Sequence, residues 1–211
     1  MKRYLKIIIL LSLLLYQSVS QAQIKVGIQA GIGRSWLHSP SYFNLKDAGS
    51  YTVGLSTLIP LKNNFSIVSG LQYQVLKARR SQLNFTKNGQ LDSGSDPVFT
   101  QTEYVTLPIS GRYTFKIKKK PSLYLESGGY LSYLMSFKNS GKTSYDYPSK
   151  DIEYYEDLKK YNRLSVGISG EGGFLIGTHV EMGLKYNVEF TSLNDENINF
   201  RNLQFLMSYY F

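Results

Sequence analysis

Three observations predict that this chain is all-β and folds as an eight-stranded, antiparallel, up-and-down transmembrane β-barrel. Eight segments alternate apolar and polar residues with the period of two that a β-strand requires. The connections between these segments alternate between long and short. Aromatic residues on the apolar faces gather at the two ends of the segments, with aliphatic residues between them, and this pattern is typical of a surface that contacts lipid.

The first 22 residues have the pattern of a secretory signal peptide, which is removed from the mature protein. A basic start at 2–6 precedes an apolar run at 7–15, and Ala22 is the small residue before the predicted cleavage. A retained anchor helix is the alternative, but the apolar run is shorter than the roughly 20 residues that span a bilayer. We therefore expect 1–22 to be a signal peptide and 23–211 to be one outer-membrane β-barrel domain.

The composition excludes several classes of protein. The chain contains no Cys, which rules out disulfides, thiol catalysis, cysteine metal sites and a lipid anchor on cysteine. The formal net charge of +9 would indicate nucleic-acid binding only if the basic residues formed one face or a recognition module, and the sequence contains neither. The mean hydropathy is only −0.23, which suits a barrel, because each strand turns only every second residue to lipid.

The eight predicted strands follow one another along the chain. Their bounds are 23–34, 50–60, 65–78, 102–115, 122–137, 163–176, 179–190 and 201–211. Alternate apolar residues define each strand and include, in the same order, Ile28, Val53, Ile67, Val105, Leu125, Val166, Leu184 and Phe205. Most of these strands exceed the roughly five or six residues usual in soluble sheets. They match the roughly 9–11 residues, plus ends, of a tilted membrane strand.

The connections between strands are sorted by length. In chain order, alternately long and short except for an intermediate last one, they are 35–49, 61–64, 79–101, 116–121, 138–162, 177–178 and 191–200. Long loops on one rim and tight turns on the other are typical of outer-membrane barrels, and a soluble sandwich has no reason to sort its loops in this way. An even number of strands then places both ends of the barrel domain at the short-turn, periplasmic rim.

Aromatic residues on the apolar faces fall into two predicted belts. The lower belt, at the short-turn rim, contains Phe65, Tyr113, Phe115, Phe174, Tyr209 and Phe211. The upper belt, at the long-loop rim, contains Tyr51, Tyr73, Tyr133, Phe137, Tyr186 and Phe190. Aromatic rings settle at the two headgroup levels of a bilayer, whereas β-propensity alone would scatter them along the strands.

The opposite faces carry polar or small residues, so we expect a polar interior; a soluble lipocalin-like barrel would need the reverse. The tight turns predict a register in which Arg112 faces Glu126 and Glu171 faces Lys185. We predict an interior charge network of Arg112, Glu126, Glu171, Glu181 and Lys185, because isolated charges in a dry lumen would be costly. Eight strands leave room for side chains but not for an aqueous channel, so the network is interpreted as a plug rather than an ion path.

The segment EYVTLPISGRYTF at 103–115 resembles a strand of the PorT-like family of small outer-membrane β-barrels from Bacteroidetes. After Tyr104, Leu-Pro-Ile at 107–109 stands where that family commonly has Ile-Pro-Leu, and 122–134 and 183–195 resemble its later strands. The resemblance implies an outer-membrane location, insertion by the barrel-assembly machinery and no catalytic residue. Members of the PorT type are linked to protein secretion and gliding. Because proline cannot donate to the ladder, the fourth strand should contain a bulge or a broken rung.

A search for reactive residues finds few candidates. His38 lies near Ser35 in the first long connection, so an enzyme at the outer rim is an alternative, but no acidic residue nearer in sequence than Asp47 could orient the imidazole. The acidic segment 145–162 lacks the fixed spacing of a calcium loop, and we interpret it as a solvated loop in which Asp151 caps a short helix. We predict no catalytic residue, no metal site and no cofactor.

Basic residues gather at both rims. Lys116 and 118–120 crowd the second short turn, whereas Lys77, Arg79 and Arg80 mark the top of the third strand. The upper set would pair with lipopolysaccharide phosphates, and a simply solvated rim is the equal alternative. The expected partners are outer-membrane lipid and lipopolysaccharide, the barrel-assembly machinery and a protein bound at the outer loops; we expect no nucleic acid.

The last predicted strand ends on an aromatic, apolar face. Phe211, Tyr209 and Met207 resemble the signal that the barrel-assembly machinery reads, and we expect this strand to face lipid and to pair with the first strand. Leu206 and Tyr210 fall on the opposite, inner face, so we expect part of the interior near the lower rim to be apolar.

The predicted function is a structural or interaction role in the outer membrane, carried by the loops 79–101 and 138–162, without an open pore or enzymatic activity. The alternatives are a small porin or ligand-passage barrel, a PorT-like component of secretion, a rim enzyme and a soluble periplasmic barrel.

Overall fold

Nine β-strands contain most of the residues that the structure describes. This computed structural model describes residues 24–38, 45–81, 97–115, 117, 121–142, 151–192 and 199–211. The strands are β1 (Lys25–His38), β2 (Leu45–Pro60), β3 (Phe65–Ser81), β4 (Pro97–Phe115), β5 (Ser122–Lys142), β6 (Asp151–Tyr155), β7 (Leu164–Ile176), β8 (Val180–Glu189) and β9 (Asn199–Tyr210). The predicted signal peptide at 1–22 and the lysines at 116 and 118–120 lie outside the described residues. In these ranges no helix has the length and hydrophobicity needed to cross a membrane.

Eight of the strands close into an antiparallel, up-and-down barrel, as the alternation predicts. Consecutive strands from β1 to β5 are neighbours, β7, β8 and β9 follow, and β9 pairs with β1 to complete the ring. The seam between β1 and β9 runs from Gly27 opposite Tyr210 to His38 opposite Asn199. The predicted fold class and the pairing of the last strand with the first are therefore confirmed.

The strands extend further at the upper rim than predicted. The additional strand β6 lies within the predicted loop 138–162 and, among the described strands, pairs with the top of β5 alone, from Lys138 opposite Tyr155 to Lys142 opposite Asp151. This strand has only five residues, Asp-Ile-Glu-Tyr-Tyr, so it is too short for the sustained alternation that revealed the other strands. The sheet formed by the tops of β4, β5 and β6 therefore stands above the closed ring.

The predicted helix cap at Asp151 is wrong, because Asp151 begins β6. The carboxylate of Asp157 instead caps a short 3-10 helix (Leu158–Lys160), where the amide of Lys159 donates to its Oδ1 at 3.0 Å. Both aspartates belong to the same acidic segment, and only the backbone path shows which of them precedes a helical turn.

The predicted tight turns at the lower rim are present where the structure describes them. Between β2 and β3, Asn63 and Asn64 adopt positive φ angles of 58° and 66°, a conformation that asparagine tolerates and that matches the twist of a hairpin. Between β7 and β8, Gly177 has a φ of 70°. These residues fix the register of two hairpins, and hence which side chains point inward.

A β-bulge at Met135 corrects one residue of the predicted upper belt. Tyr104 pairs with Leu134 but Glu103 pairs with Ser136, so Met135 is an extra residue in β5. Beyond this residue the inward and outward faces exchange. Phe137 consequently points into the barrel and is only 7 % exposed, so its placement in the lipid-facing belt was wrong.

Pro108 interrupts the ladder between β3 and β4, as expected. The register passes from Ser69 opposite Ile109 to Gln72 opposite Thr106 without a shift, and the positions between these pairs are not joined. The hydroxyl of Ser69 donates to the carbonyl oxygen of Pro108 at 3.0 Å. The interruption is therefore a broken rung and not a bulge.

The barrel is polar inside and apolar outside. Exposed aliphatic residues such as Ile32 (70 %) and Leu125 (59 %) cover its outer face, whereas most buried side chains are polar or charged. The main buried apolar cluster lies at the upper end of the lumen and contains Leu37, Leu76, Ala78, Tyr104, Leu134, Phe137 and Phe200. Leu206 and Tyr210 point inward, as expected, and are 2% and 1% exposed, although the Tyr210 hydroxyl lies 2.9 Å from Ser56 Oγ.

Deleting residues 209–211 should impair assembly of the barrel. The amide of Tyr210 donates to the His179 carbonyl at 2.8 Å and that of Phe211 to the Val26 carbonyl at 2.9 Å, so the deletion removes the lowest bonds that join β9 to its neighbours. We expect the fraction of folded, heat-modifiable protein on gels to fall severalfold. The variant F211W, which keeps the terminal aromatic ring, should behave as wild type; wild-type levels of folded barrel after the deletion would contradict this role.

Candidate functional site: the lumen and the outer rim

An ion cluster of three residues lies in the lower half of the lumen. Arg112 of β4 donates from Nε to Glu126 Oε2 at 2.9 Å, and its Nη2 lies 2.8 Å from the same oxygen. Its Nη1 donates to Glu181 Oε1 on β8. The arginine side chain is 3 % exposed and each glutamate side chain 4 %. Because β4 and β8 are not neighbours, the planar, forked guanidinium ties opposite parts of the wall together.

Tyr124 extends this cluster to Glu171. Its hydroxyl donates to Glu171 Oε1 at 2.6 Å, and Arg112 lies over its ring, with the guanidinium carbon 4.2 Å from the ring centroid. A Cβ atom at Gly183 would lie 2.5 Å from the Tyr124 hydroxyl, so the glycine provides the space through which Tyr124 crosses the lumen.

The predicted register of the charged residues is confirmed. Arg112 lies opposite Glu126 and Glu171 opposite Lys185. Lys185 is 4 % exposed, yet the ion pairs found among the described residues do not join it to Glu171. The structure therefore brings three of the five predicted residues into direct contact, connects Glu171 through Tyr124, and places Lys185 across the ladder.

Amide and hydroxyl side chains fill the middle of the lumen. The amide of Gln72 donates to Gln29 Oε1 at 2.6 Å, and that of Gln74 donates to Gln72 Oε1 at 3.0 Å. On the same side of the barrel, which β3, β2, β1 and β9 form in that order, the Thr52 hydroxyl donates to Gln204 Oε1 at 2.9 Å. Buried polar groups that satisfy one another in this way form a packed layer.

The apolar cluster closes the upper end. Leu158 and Tyr161, from the segment between β6 and β7, pack against it, and the Tyr161 ring stacks on Phe137 with 4.6 Å between centroids. Below it, a cavity bordered by Tyr104 and Glu189 measures about 10 Å³, about the size of a single water molecule. Side chains thus occupy the lower, middle and upper lumen.

Several lumen residues were missed by the sequence analysis. Tyr124 and Glu189 are the clearest cases: Glu189 accepts from the Ser165 hydroxyl and, at 2.8 Å, from the amide of Phe200. Strand alternation could have found Tyr124, because it lies between the outward-facing Leu123 and Leu125. It could not reveal which inward residues touch across the lumen.

The rim histidine has no catalytic arrangement with its nearest serine. His38 is exposed at the end of β1, whereas Ser35 is fully buried, donates to the Lys77 carbonyl at 2.6 Å and accepts from the Lys77 amide at 2.9 Å. The other serines of this connection, at 39 and 41, lie outside the described residues. His179 lies at the lower turn, with Nδ1 2.8 Å from the Tyr210 carbonyl oxygen. No group of three metal-ligating side chains occurs in the described ranges.

Basic side chains mark the outer face above the upper belt. The guanidinium of Arg79 lies 5.8 Å from the centre of the Phe99 ring, and Lys138 Nζ lies 5.6 Å from the Tyr155 ring. In register, Lys77 pairs with Gln101 and Gln101 with Lys138. The side chain of Arg80 is outside the described residues.

The sequence matches a family model described as "Outer membrane protein beta-barrel domain" over residues 16–196. The chain belongs to this family. Its closed ring, apolar exterior and polar interior are the features by which such barrels cross a bilayer.

Comparisons with individual proteins show only distant similarity. No curated protein sequence matches this outer-membrane barrel. The structure is similar to neisserial surface protein A, with 13% identity, coverage of 88% of this chain and 97% of that one, and a TM-score of 0.44. It is also similar to the attachment invasion locus protein Ail of Yersinia pestis, solved with the heparin analogue sucrose octasulfate, with 12% identity, coverage of 90% and 99%, and a TM-score of 0.41.

The aromatic residues of this outer-membrane barrel lie at both ends of its aliphatic band. At the lower rim, Tyr113 contacts Phe65 and Phe115, with ring centroids 4.9 and 4.8 Å apart, and Phe174, Tyr209 and Phe211 are exposed nearby. At the upper rim the outward-facing, exposed members of the predicted belt are Tyr51, Tyr73, Tyr133, Tyr186 and Phe190. Rings at these two heights suit the headgroup levels of a bilayer.

Replacing Arg112 by Met should strongly destabilise the barrel, because it leaves two buried carboxylates without their cation. We expect the free energy of unfolding, measured in urea with phospholipid vesicles, to fall by about 3–5 kcal/mol. Neutralising the partners as well, in R112M/E126Q/E181Q, should restore most of the loss.

The matched control removes an exposed ion pair. Arg34 Nη1 lies 2.5 Å from Asp47 Oδ2, and the Arg34 side chain is 75% exposed. R34M should therefore cost less than about 1 kcal/mol. An R112M barrel as stable as wild type would show that the lumen cluster does not hold the wall together.

Proposed function

We propose that this outer-membrane barrel is a closed scaffold that displays its outer surface to a protein partner, and that it is neither a porin nor an enzyme. This proposal rests on the packing of side chains throughout the lumen. The ion cluster of Arg112, the amide layer around Gln72 and the apolar cluster around Phe137 occupy successive heights of the barrel. An interior that is hydrogen-bonded and filled at each height offers no route for a solute.

The sheet formed by the tops of β4, β5 and β6, here called the outer sheet, is the surface best suited to a partner. Beyond Tyr133 of the upper belt, β5 continues for nine more residues and ends at Lys142, which corresponds to about 30 Å of strand. β6 pairs with β5 on one side, and within the described part of the chain no other strand pairs with it. Asn139 donates to Glu156 at 3.0 Å, which ties the sheet to the segment that closes the lumen.

The filled lumen and the surroundings of His38 disfavour two other functions, a ligand-passage barrel and an enzyme. A ligand-passage barrel needs an open interior, whereas the lumen residues here contact one another. An enzyme at the rim would need a nucleophile beside His38, whereas Ser35 is buried and bonded to the backbone of β3. A component of protein secretion is the alternative role that the PorT-like resemblance of 103–115 implies. In this reading, residues 1–22 direct export and the barrel-assembly machinery inserts the mature chain.

The purified barrel should show no channel activity in planar lipid bilayers. Conductance steps should be absent, because displacing the plug would break the buried Arg112–Glu126 and Arg112–Glu181 contacts. A general porin reconstituted in the same way serves as the positive control. Stable, reproducible steps from the folded barrel would contradict the closed scaffold and favour a small porin.

Replacing residues 141–152 by a short Gly-Ser turn should abolish partner binding and leave the barrel folded. The described ends of this segment, Gly141 opposite Ile152 and Lys142 opposite Asp151, belong to the β5–β6 pairing and not to the closed ring, so the heat-modifiable mobility of the barrel should not change. The measurement is quantitative co-purification from detergent-solubilised membranes. The control N63G/N64G alters only the lower turn and should retain the partner; equal recovery of the same proteins with the hairpin variant would exclude this sheet as the contact.

A further inference from the structure

We propose that the outer face of the barrel from β1 to β5 holds one phosphorylated glycolipid of the outer leaflet, with an acyl chain in an apolar groove and a phosphate in a lysine-lined crevice above it. This inference goes beyond the closed-scaffold proposal, because it concerns a lipid on the outer wall. The crevice shares Lys138 and Ser140 with the part of β5 that pairs with β6, but both residues lie outside the segment 141–152 that the partner test replaces.

The apolar groove lies across β9, β1 and β2 at the level of the aliphatic band. It measures about 550 Å³. Its floor is Ala30, which pairs with Val53 on one side and Met207 on the other. The larger side chains of Ile28, Leu55 and Tyr209 border it. A small residue between larger ones leaves a depression on a surface that otherwise projects into lipid, and an acyl chain is the ligand that this level of the membrane supplies.

The crevice exists because β2 separates from β3 near its upper end. Asp47 pairs with Ala78 and Tyr51 pairs with Val75, so residues 48–50 have no partners on β3. The hydroxyl of Ser35 crosses from β1 and bonds with the peptide groups of Lys77 instead. The backbone remains satisfied while the wall opens, and the resulting crevice measures about 540 Å³.

The chemistry of the crevice favours an anion. Lys77, Gln101 and Lys138 form one row across β3, β4 and β5 and line the crevice together. Because neighbouring strands lie about 4.8 Å apart, the two lysine backbones are about 10 Å apart, which allows both ammonium groups to reach one phosphate. The acidic residue of the row below, Glu103, accepts from the Tyr73 hydroxyl at 2.8 Å and from Gln101 at 3.1 Å.

The two depressions adjoin each other: the groove lies on β9, β1 and β2, and the crevice lies above it on the upper ends of β1 to β5, with its lysines on β3 and β5. In the β1–β2 ladder, Ile32 and Tyr51 of the crevice come directly above Ala30 and Val53 of the groove, two residues further towards the outer rim. Tyr51 belongs to the upper aromatic belt, which marks the headgroup level. The ligand must therefore be apolar below this level and anionic above it. The crevice lies on the long-loop side, where the phosphate-bearing lipid of an outer membrane is the lipid A part of lipopolysaccharide.

The test uses the full-length barrel, purified and reconstituted in phosphatidylcholine nanodiscs that contain a small fraction of lipid A. Native mass spectrometry should show one retained lipid A per wild-type barrel. The double variant K77A/K138A should lower the retained fraction about tenfold or more. The control K159A/K160A removes two exposed lysines outside the crevice and should retain lipid A as wild type does. Retention by K77A/K138A at the wild-type level would overturn the proposal.

A second variant tests the acyl part of the site. A30L fills the groove on the lipid-facing side and should lower retention, whereas V166L, on the distant β7, should not. Heat-modifiable mobility verifies that each variant is folded. Equal displacement of lipid A by phosphatidylglycerol would overturn the assignment to a glycolipid, and loss of retention in V166L equal to that in A30L would overturn the groove.

Discussion

The structure depends on the rule that every backbone hydrogen-bonding group inside a bilayer needs a partner within the protein. A sheet meets this rule only if it has no edge, and the seam between β1 and β9 removes the last one. Two of the local departures from the ladder show how such groups find partners. At the broken rung beside Pro108, the Ser69 hydroxyl bonds to the proline carbonyl, and where β2 leaves β3 the Ser35 hydroxyl bonds to the Lys77 peptide groups.

Closure with eight strands also determines what fills the lumen. The ring is too narrow for an aqueous channel, yet the apolar residues of each strand must face lipid, so the interior receives the polar half of every strand. Polar groups in a dry space must satisfy one another. Arg112 meets this requirement for two carboxylates at once, and Tyr124 does so for Glu171. Breaking one contact therefore leaves several buried polar groups without a partner. The resulting loss of stability is larger than the loss of a single hydrogen bond.

Alternation predicted most of the fold, because a lipid-facing surface imposes a strict period of two. It predicted the eight strands of the ring, the tight turns and the register that places Arg112 opposite Glu126. Alternation failed above the upper aromatic belt, where the outer face of the strands no longer contacts lipid. Beyond the upper belt a single extra residue, Met135, reversed the faces of β5 and moved Phe137 inside, and the five-residue strand β6 was too short to be recognised by its alternation. The contacts across the lumen depend on closure itself, which no local pattern records.

The two ends of the lumen are closed by different interactions, because the connections between strands differ in length at the two rims. At the lower rim the turns are short, so few residues are available to cover the opening, and charged side chains from opposite walls close it by reaching across. At the upper rim a long connection is available, and Leu158 and Tyr161 can lie over an apolar cluster. Apolar packing needs no fixed geometry, whereas the ion cluster does. The outer segment can therefore change in sequence or partner while the lower cluster keeps the ring rigid.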